Sequence, residues 1–181
     1  GCLIMKKSLI FSCVLIVIDQ VIKLLIAHYC IDVNVILLPD ILSFRPIQNI
    51  NLNWIASMID YETPVLMMII IQVFALTIIL LYSRYLSYLW IGGKNLITGM
   101  LIFFIAGIMC SFIDVIFWGG SLDFLRLFDW FIFDLKDTYL DIGLAFLILF
   151  TIEYYIKSYR RMSKAERKQT GVWIWIKKGM P

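Results

Sequence analysis

Four long apolar runs set what this chain can become. Residues 9–28, 64–81, 96–113 and 139–156 each approach the ~20 mainly apolar residues that cross a hydrocarbon core of about 30 Å as a helix. The remaining sequence cannot offset them. Of 181 residues, 62% are hydrophobic and only 16% charged, far from the balance of a water-soluble domain. The expected fold is an all-α membrane protein with four transmembrane helices, a single integral membrane domain over residues 1–181. The first run follows Lys6 and Lys7, as the core of a cleaved leader would. It is too long for one, and Cys30, Ile31 and Asp32 offer no small-residue cleavage pattern, so it is read as a span.

Basic residues orient the spans. With the N-terminus in the cytoplasm, 12 of the 16 Lys and Arg residues fall on that side, and only Arg45, Arg126 and Lys136 fall in the outer segments. Those segments are acidic instead, carrying Asp32, Asp40, Asp60, Glu62, Asp114, Asp123, Asp129, Asp134 and Asp137. Both termini are therefore expected inside. The net charge of +3 hides this segregation and is not a nucleic-acid footprint. The basic tail, residues 157–181, is expected to meet anionic headgroups. Its end, "GVWIWIKKGMP", reads either as an interfacial segment or as a tail without fixed structure.

Two outer segments join the spans. The first, residues 29–63, contains "DVNVILL", "ILSFRPI" and "INLNWIA", whose alternation predicts short strands in a small outer-face β-sheet. In the second, Leu122, Leu125, Phe128 and Phe131 recur at about three-residue spacing, which predicts an interfacial helix over residues 119–133. Four cysteines without metal-ligand spacing predict neither a disulfide nor a metal site, and the lone His28 reads as an interfacial residue.

The carboxylates carry the chemistry. Asp114 closes the third span and Asp137 opens the fourth, at matching depth in neighbouring antiparallel helices. Two carboxyl groups sharing a low-dielectric site cannot both ionise cheaply, so one keeps its proton. The ionised member can then take a proton from water while the other donates to a peptide carbonyl, and the pair titrates as a unit. Each acid read alone could simply mark where the membrane stops. Asp19 is different, because it lies within the first apolar run, where a charge costs about 2.5–3.5 kcal/mol and is functional or paired. Lys23, four residues on, is its natural helical partner.

These residues resemble a known family. "IDQVIK" resembles the first-span D-Q-x-x-K pattern of the lipoprotein signal peptidases, the type II intramembrane aspartyl proteases. "FIDVIFWGGSLDF" is similar to that family's third-span block, G-N-x-x-D-R followed by Gly and D-F. "FDLKDTYLDIG" is similar to its F-N-x-A-D block, and "IQNINLNW" to its outer N-x-G-x-A-F block. The resemblance implies Asp114 and Asp137 as catalytic residues, with Asp19, Gln20, Lys23, Asn49, Ser111 and Asp134 at supporting or substrate-binding positions. It further implies removal of the signal peptide from diacylglyceryl-modified prolipoproteins at the outer face of the bacterial cytoplasmic membrane. No metal or cofactor and no nucleic acid is implied; the partners are the lipid-modified prolipoprotein and the phospholipid membrane, and the protein is expected to be a monomer.

The chain departs from the family pattern where chemistry is concentrated. Ser111 replaces the Asn of G-N-x-x-D-R, Val115 replaces its Arg, and Asp134 replaces the Asn of F-N-x-A-D. In the outer block, Asn51, Asn53 and Trp54 stand for Gly, Ala and Phe. Val115 cannot supply the cation and donor fork of an arginine. An alternative reading therefore stands beside the peptidase: a catalytically altered or inactive relative that binds lipoproteins or another membrane partner.

Overall fold

The computed structural model describes residues 2–49, 64–128 and 130–180. Among these, four helical stretches are long and apolar enough to cross a membrane: Met5–Cys30, Val65–Leu89, Ile91–Trp118 and Leu135–Arg161. Their regular parts are α1 (Cys2–Leu25), α2 (Val65–Leu89), α3 (Lys94–Ile113) and α4 (Leu135–Lys157). Helices suit these runs because lipid offers backbone amides no partner, so each must be satisfied within its own segment. Two of them widen at the end into a five-residue π turn, Ile26–Cys30 after α1 and Asp114–Trp118 after α3.

The third span is the centre of the bundle, with α1, α2 and α4 all packed against α3. In its most apolar stretch 44% of the residues are buried, against 6% in the second span, which therefore turns most of its surface to lipid. Leu86, Ile97, Met100, Leu101, Ile105 and Phe150 form the main core. Small residues let α3 and α4 approach closely: a Cβ on Gly107 would lie 2.7 Å from Leu140 Cδ2 and 3.1 Å from the Lys136 carbonyl oxygen. Polar side chains add cross-links to α1, where Ser12 Oγ donates to the Ile102 carbonyl (2.8 Å) and Tyr139 Oη to that of Leu15 (3.3 Å).

A four-stranded antiparallel sheet, β1 (Val35–Leu38), β2 (Leu42–Asn49), β3 (Ser121–Leu127) and β4 (Phe131–Phe133) in that order, joins the two outer segments. The pairing of β2 with β3 runs from Leu42↔Leu127 to Asn49↔Ser121. The first two expected strands are present, and the third, residues 50–56, lies outside the described residues.

The interfacial helix expected over residues 119–133 is absent, and β3 and β4 stand in its place. The cause is burial on both faces. Ser121, Leu122, Asp123 and Phe124 are all buried. Leu122 and Phe124 pack with Ile26, while Ser121 and Asp123 on the opposite face meet charged groups. The strand alternation is therefore hidden, because its polar positions point inward. The three-residue apolar spacing arose by coincidence, and it passes through Phe128, whose φ of 49° is incompatible with a right-handed helix.

The tail is folded. A short turn, Tyr159–Arg161, leads to α5 (Lys164–Gln169) and α6 (Val172–Lys177). Ser163 and Glu166 cap α5 reciprocally, each bonding the other's backbone amide.

Candidate active site

The site grows from one helical turn of α1. Asp19 and Lys23 lie on the same face, as their spacing of four predicts, with Lys23 Nζ 3.2 Å from Asp19 Oδ2 and both side chains fully buried. The lysine has a wider role than that pair. Its Nζ is 2.6 Å from Asp114 Oδ2 at the end of α3 and 2.6 Å from Asp134 Oδ2 just before α4. One ammonium thus ties together three spans.

A second lysine completes the arrangement. Lys136 Nζ lies 2.6 Å from Asp134 Oδ2, 3.4 Å from Asp114 Oδ2 and 3.5 Å from Asp123 Oδ1, and it donates to Ser121 Oγ. Ser121 Oγ in turn donates to Asp123 Oδ1 at 2.5 Å. Asp123 also accepts from Asn49 Nδ2 at 3.1 Å, which fastens the end of β2 to the site. Gln20 Nε2 donates to Asp19 (3.0 Å) and to Asp114 Oδ1 (3.4 Å), while its carbonyl oxygen accepts from Trp118 Nε1 (3.1 Å).

Asp137 enters through the cap of α4. The Asp134 carboxylate accepts from the Asp137 amide, and the Asp137 carboxylate accepts from the Asp134 amide at 3.2 Å, a reciprocal box that fixes both side chains at the helix start. Asp137 is half-buried, whereas Asp114 and Asp134 are fully buried. Among the described contacts, Asp114 and Asp137 are linked through Asp134 and the two lysines rather than by a bond of their own.

Of the residues singled out in the sequence, Asp19, Gln20, Lys23, Asn49, Asp114, Asp134 and Asp137 gather in this network. Ser111 does not: its Oγ accepts from Gln72 Nε2 at 2.8 Å and so cross-links α3 to α2. Three members escaped the sequence reading. Lys136 was a basic residue in an acidic outer segment, between two aspartates in "DLKD", and that anomaly was its signal. Asp123 stood within the D-F part of the quoted block. Ser121 had no signal.

The charges are unequal to one another. Burial pushes the Asp123 carboxyl above its ordinary value, and Lys136, Ser121 and Asn49 offset only part of that. Burial opposes charge on Asp134 too, yet Lys136 and Lys23 together outweigh it and hold that carboxyl below its ordinary value. Oxygens of Asp123, Asp134 and Asp137 lie within 4.8 Å of one another, close enough to ligate a metal ion. The Lys136 ammonium already supplies a cation to two of them, at 2.6 Å and 3.5 Å.

Comparison with known proteins places this geometry in context. The model of the family described as signal peptidase (SPase) II matches residues 11–153. No curated protein sequence matches the chain. Among solved structures, one described as a bacterial membrane enzyme determined by the in meso method at 2.3 Å is 22% identical, with a TM-score of 0.63 over 88% of this chain and 95% of that one. Another with the same description, at 1.9 Å, is 24% identical with a TM-score of 0.59 over 80% and 91%. At these identities the likeness is one of fold.

Proposed function

Because the chain belongs to the signal peptidase II family, we propose that it is an intramembrane aspartic endopeptidase that removes the signal peptide from diacylglyceryl-modified prolipoproteins. The observation that carries this reading is the convergence of Asp114, at the end of α3, and the Asp134–Asp137 cap of α4 on one buried pair of lysines. In the proposed reaction one of Asp114 and Asp137 takes a proton from water, which attacks the scissile carbonyl, and the other, protonated, donates to the carbonyl oxygen. Lys23 and Lys136 do not react; they offset the charge that several neighbouring carboxylates would otherwise carry together. Asn49, at the end of β2 and bonded to Asp123, is the proposed contact for a substrate chain.

The proposed setting is the bacterial cytoplasmic membrane, as a monomer with both termini inside and the site near the outer face. The segregation of basic residues supports that orientation. Purified protein should release the signal peptide from a lipid-modified precursor, with Asp114→Asn and Asp137→Asn each reducing turnover by several orders of magnitude. Normal turnover in either variant removes that residue from the mechanism.

One observation favours a second reading. Asp114 Oδ2 is engaged by both Lys23 (2.6 Å) and Lys136 (3.4 Å), so a carboxylate oxygen that would bind water has two ammonium partners. A relative that binds lipid-modified precursors without cleaving them fits that engagement. It predicts precursor binding that survives Asp114→Asn with no turnover in the wild type.

A further inference from the structure

The tail contains a feature that catalysis does not use. Between residues 157 and 181 lie Lys157, Arg160, Arg161, Lys164, Arg167, Lys168, Lys177 and Lys178, against the single carboxylate of Glu166. All eight cations are exposed, and among the described residues only Lys157 has a carboxylate partner, Glu153 at 2.6 Å. Such a density of charge ordinarily drives a segment away from the protein and into water. Here the segment is held back against the bundle.

Three contacts hold it. Tyr85 Oη donates to the Thr170 carbonyl at 2.7 Å, and Tyr88 Oη donates to that of Gln169 at 3.0 Å. Trp175 is buried, with its ring 5.5 Å from that of Tyr85. Tyr85 lies four residues before the end of α2, or about 6 Å along a helix axis, so α6 is docked beside the end of the second span. The docked face is the one bearing Trp175. Trp173 (77% exposed) stands on the opposite face, with Val172 and Ile176 exposed between the two. Lys177 stands beside them on the helix, while Lys178 Nζ bonds Tyr88 Oη at 3.2 Å. Three apolar side chains flanked by cations without carboxylate partners, held beside the end of a membrane-spanning helix, match an anionic surface that is apolar just beneath it.

We propose that α5 and α6 form a docking surface for anionic phospholipid headgroups of the leaflet next to the chain termini, with Trp173 as its apolar anchor and Lys177 and the α5 cations as its charge contacts. The occupant is a lipid by charge complementarity, since exposed cations far outnumber the one carboxylate here and stand beside exposed apolar side chains on α6, next to the end of a membrane-spanning helix. The proposal does not depend on peptidase activity.

The full chain is reconstituted in nanodiscs containing phosphatidylcholine and phosphatidylglycerol, with brominated chains on one lipid or the other. The contribution of Trp173 is isolated as the fluorescence difference between wild type and Trp173→Tyr. Quenching by brominated phosphatidylglycerol should exceed quenching by brominated phosphatidylcholine severalfold at equal mole fraction. The preference should vanish at high salt, and Lys164→Gln/Lys168→Gln/Lys177→Gln should weaken it while leaving Trp173 in contact with lipid. Equal quenching by the two lipids overturns the proposal, as does a Trp173 quenched by neither. The three lysines are exposed, so their replacement tests charge without disturbing the bundle.

Discussion

Removing Lys136 should unbalance the site more than any other single change outside α1. Its side chain is 8% exposed and serves Asp134 at 2.6 Å, Asp114 at 3.4 Å and Asp123 at 3.5 Å. At an effective dielectric near 20 the closest contact alone has a gross attraction of about 6 kcal/mol. Much of that is cancelled by the desolvation of both ions, so the usable figure is the cost of breaking a buried pair on one side, about 3–5 kcal/mol. Lys136→Ala should lose about that much, because Asp123 would lose its ammonium contact and Lys23 would be left to serve Asp19, Asp114 and Asp134. Adding Asp134→Asn removes the carboxylate with the shortest contact, so the double variant should recover at least about 2 kcal/mol relative to the sum of the single losses. The assay is equilibrium unfolding in mixed micelles for the four corners of the cycle. Losses that simply add, or a Lys136→Ala variant as stable as the wild type, would refute the electrostatic account of the cluster.

Further expectations concern the helix seam and acid behaviour. Gly107→Ala should cost about 1–3 kcal/mol by overpacking, since the new Cβ meets Leu140 and the Lys136 carbonyl. Gly171→Ala, whose Cβ would have no neighbour closer than 3.6 Å, should be nearly neutral when both variants are followed by thermal unfolding. The lowered pKa of Asp134 means that its stabilising contribution is fully present above its unfolded value of 3.8 and is lost as pH falls below it. Melting temperatures followed from about pH 6 to pH 3 should therefore fall less steeply in Asp134→Asn than in wild type, and equal slopes would contradict the assignment.

What could be read in the sequence follows from what membranes make conspicuous. A charge inside an apolar run is costly, so Asp19 and Lys23 stood out, and their pairing follows from helical geometry. The four spans were legible for the same reason, although π turns extend two of them beyond the regular helix. In the outer segments polar residues are the background, so nothing separated Ser121 from ordinary surface, and Lys136 stood out only as a cation between Asp134 and Asp137. There the burial of polar groups also disguised β3 as part of a helix, because Ser121 and Asp123 face inward, where a strand pattern calls for apolar residues. The loss of arginine at Val115 looked like a missing cation. In the structure Val115 is buried, and a cation reaches Asp114 from the facing helix as Lys136. That substitution of one element's charge for another's depends on three-dimensional proximity, which linear spacing does not reveal.

The central claim is that this chain cleaves lipid-modified precursors with Asp114 and Asp137. Its most direct test is the mass of the product formed when purified wild-type protein meets a diacylglyceryl-modified prolipoprotein in lipid. The account predicts a product beginning at the modified cysteine, formed by the wild type and by neither Asp114→Asn nor Asp137→Asn. A precursor that keeps its full mass with the wild-type protein across the pH range of its stability would contradict it.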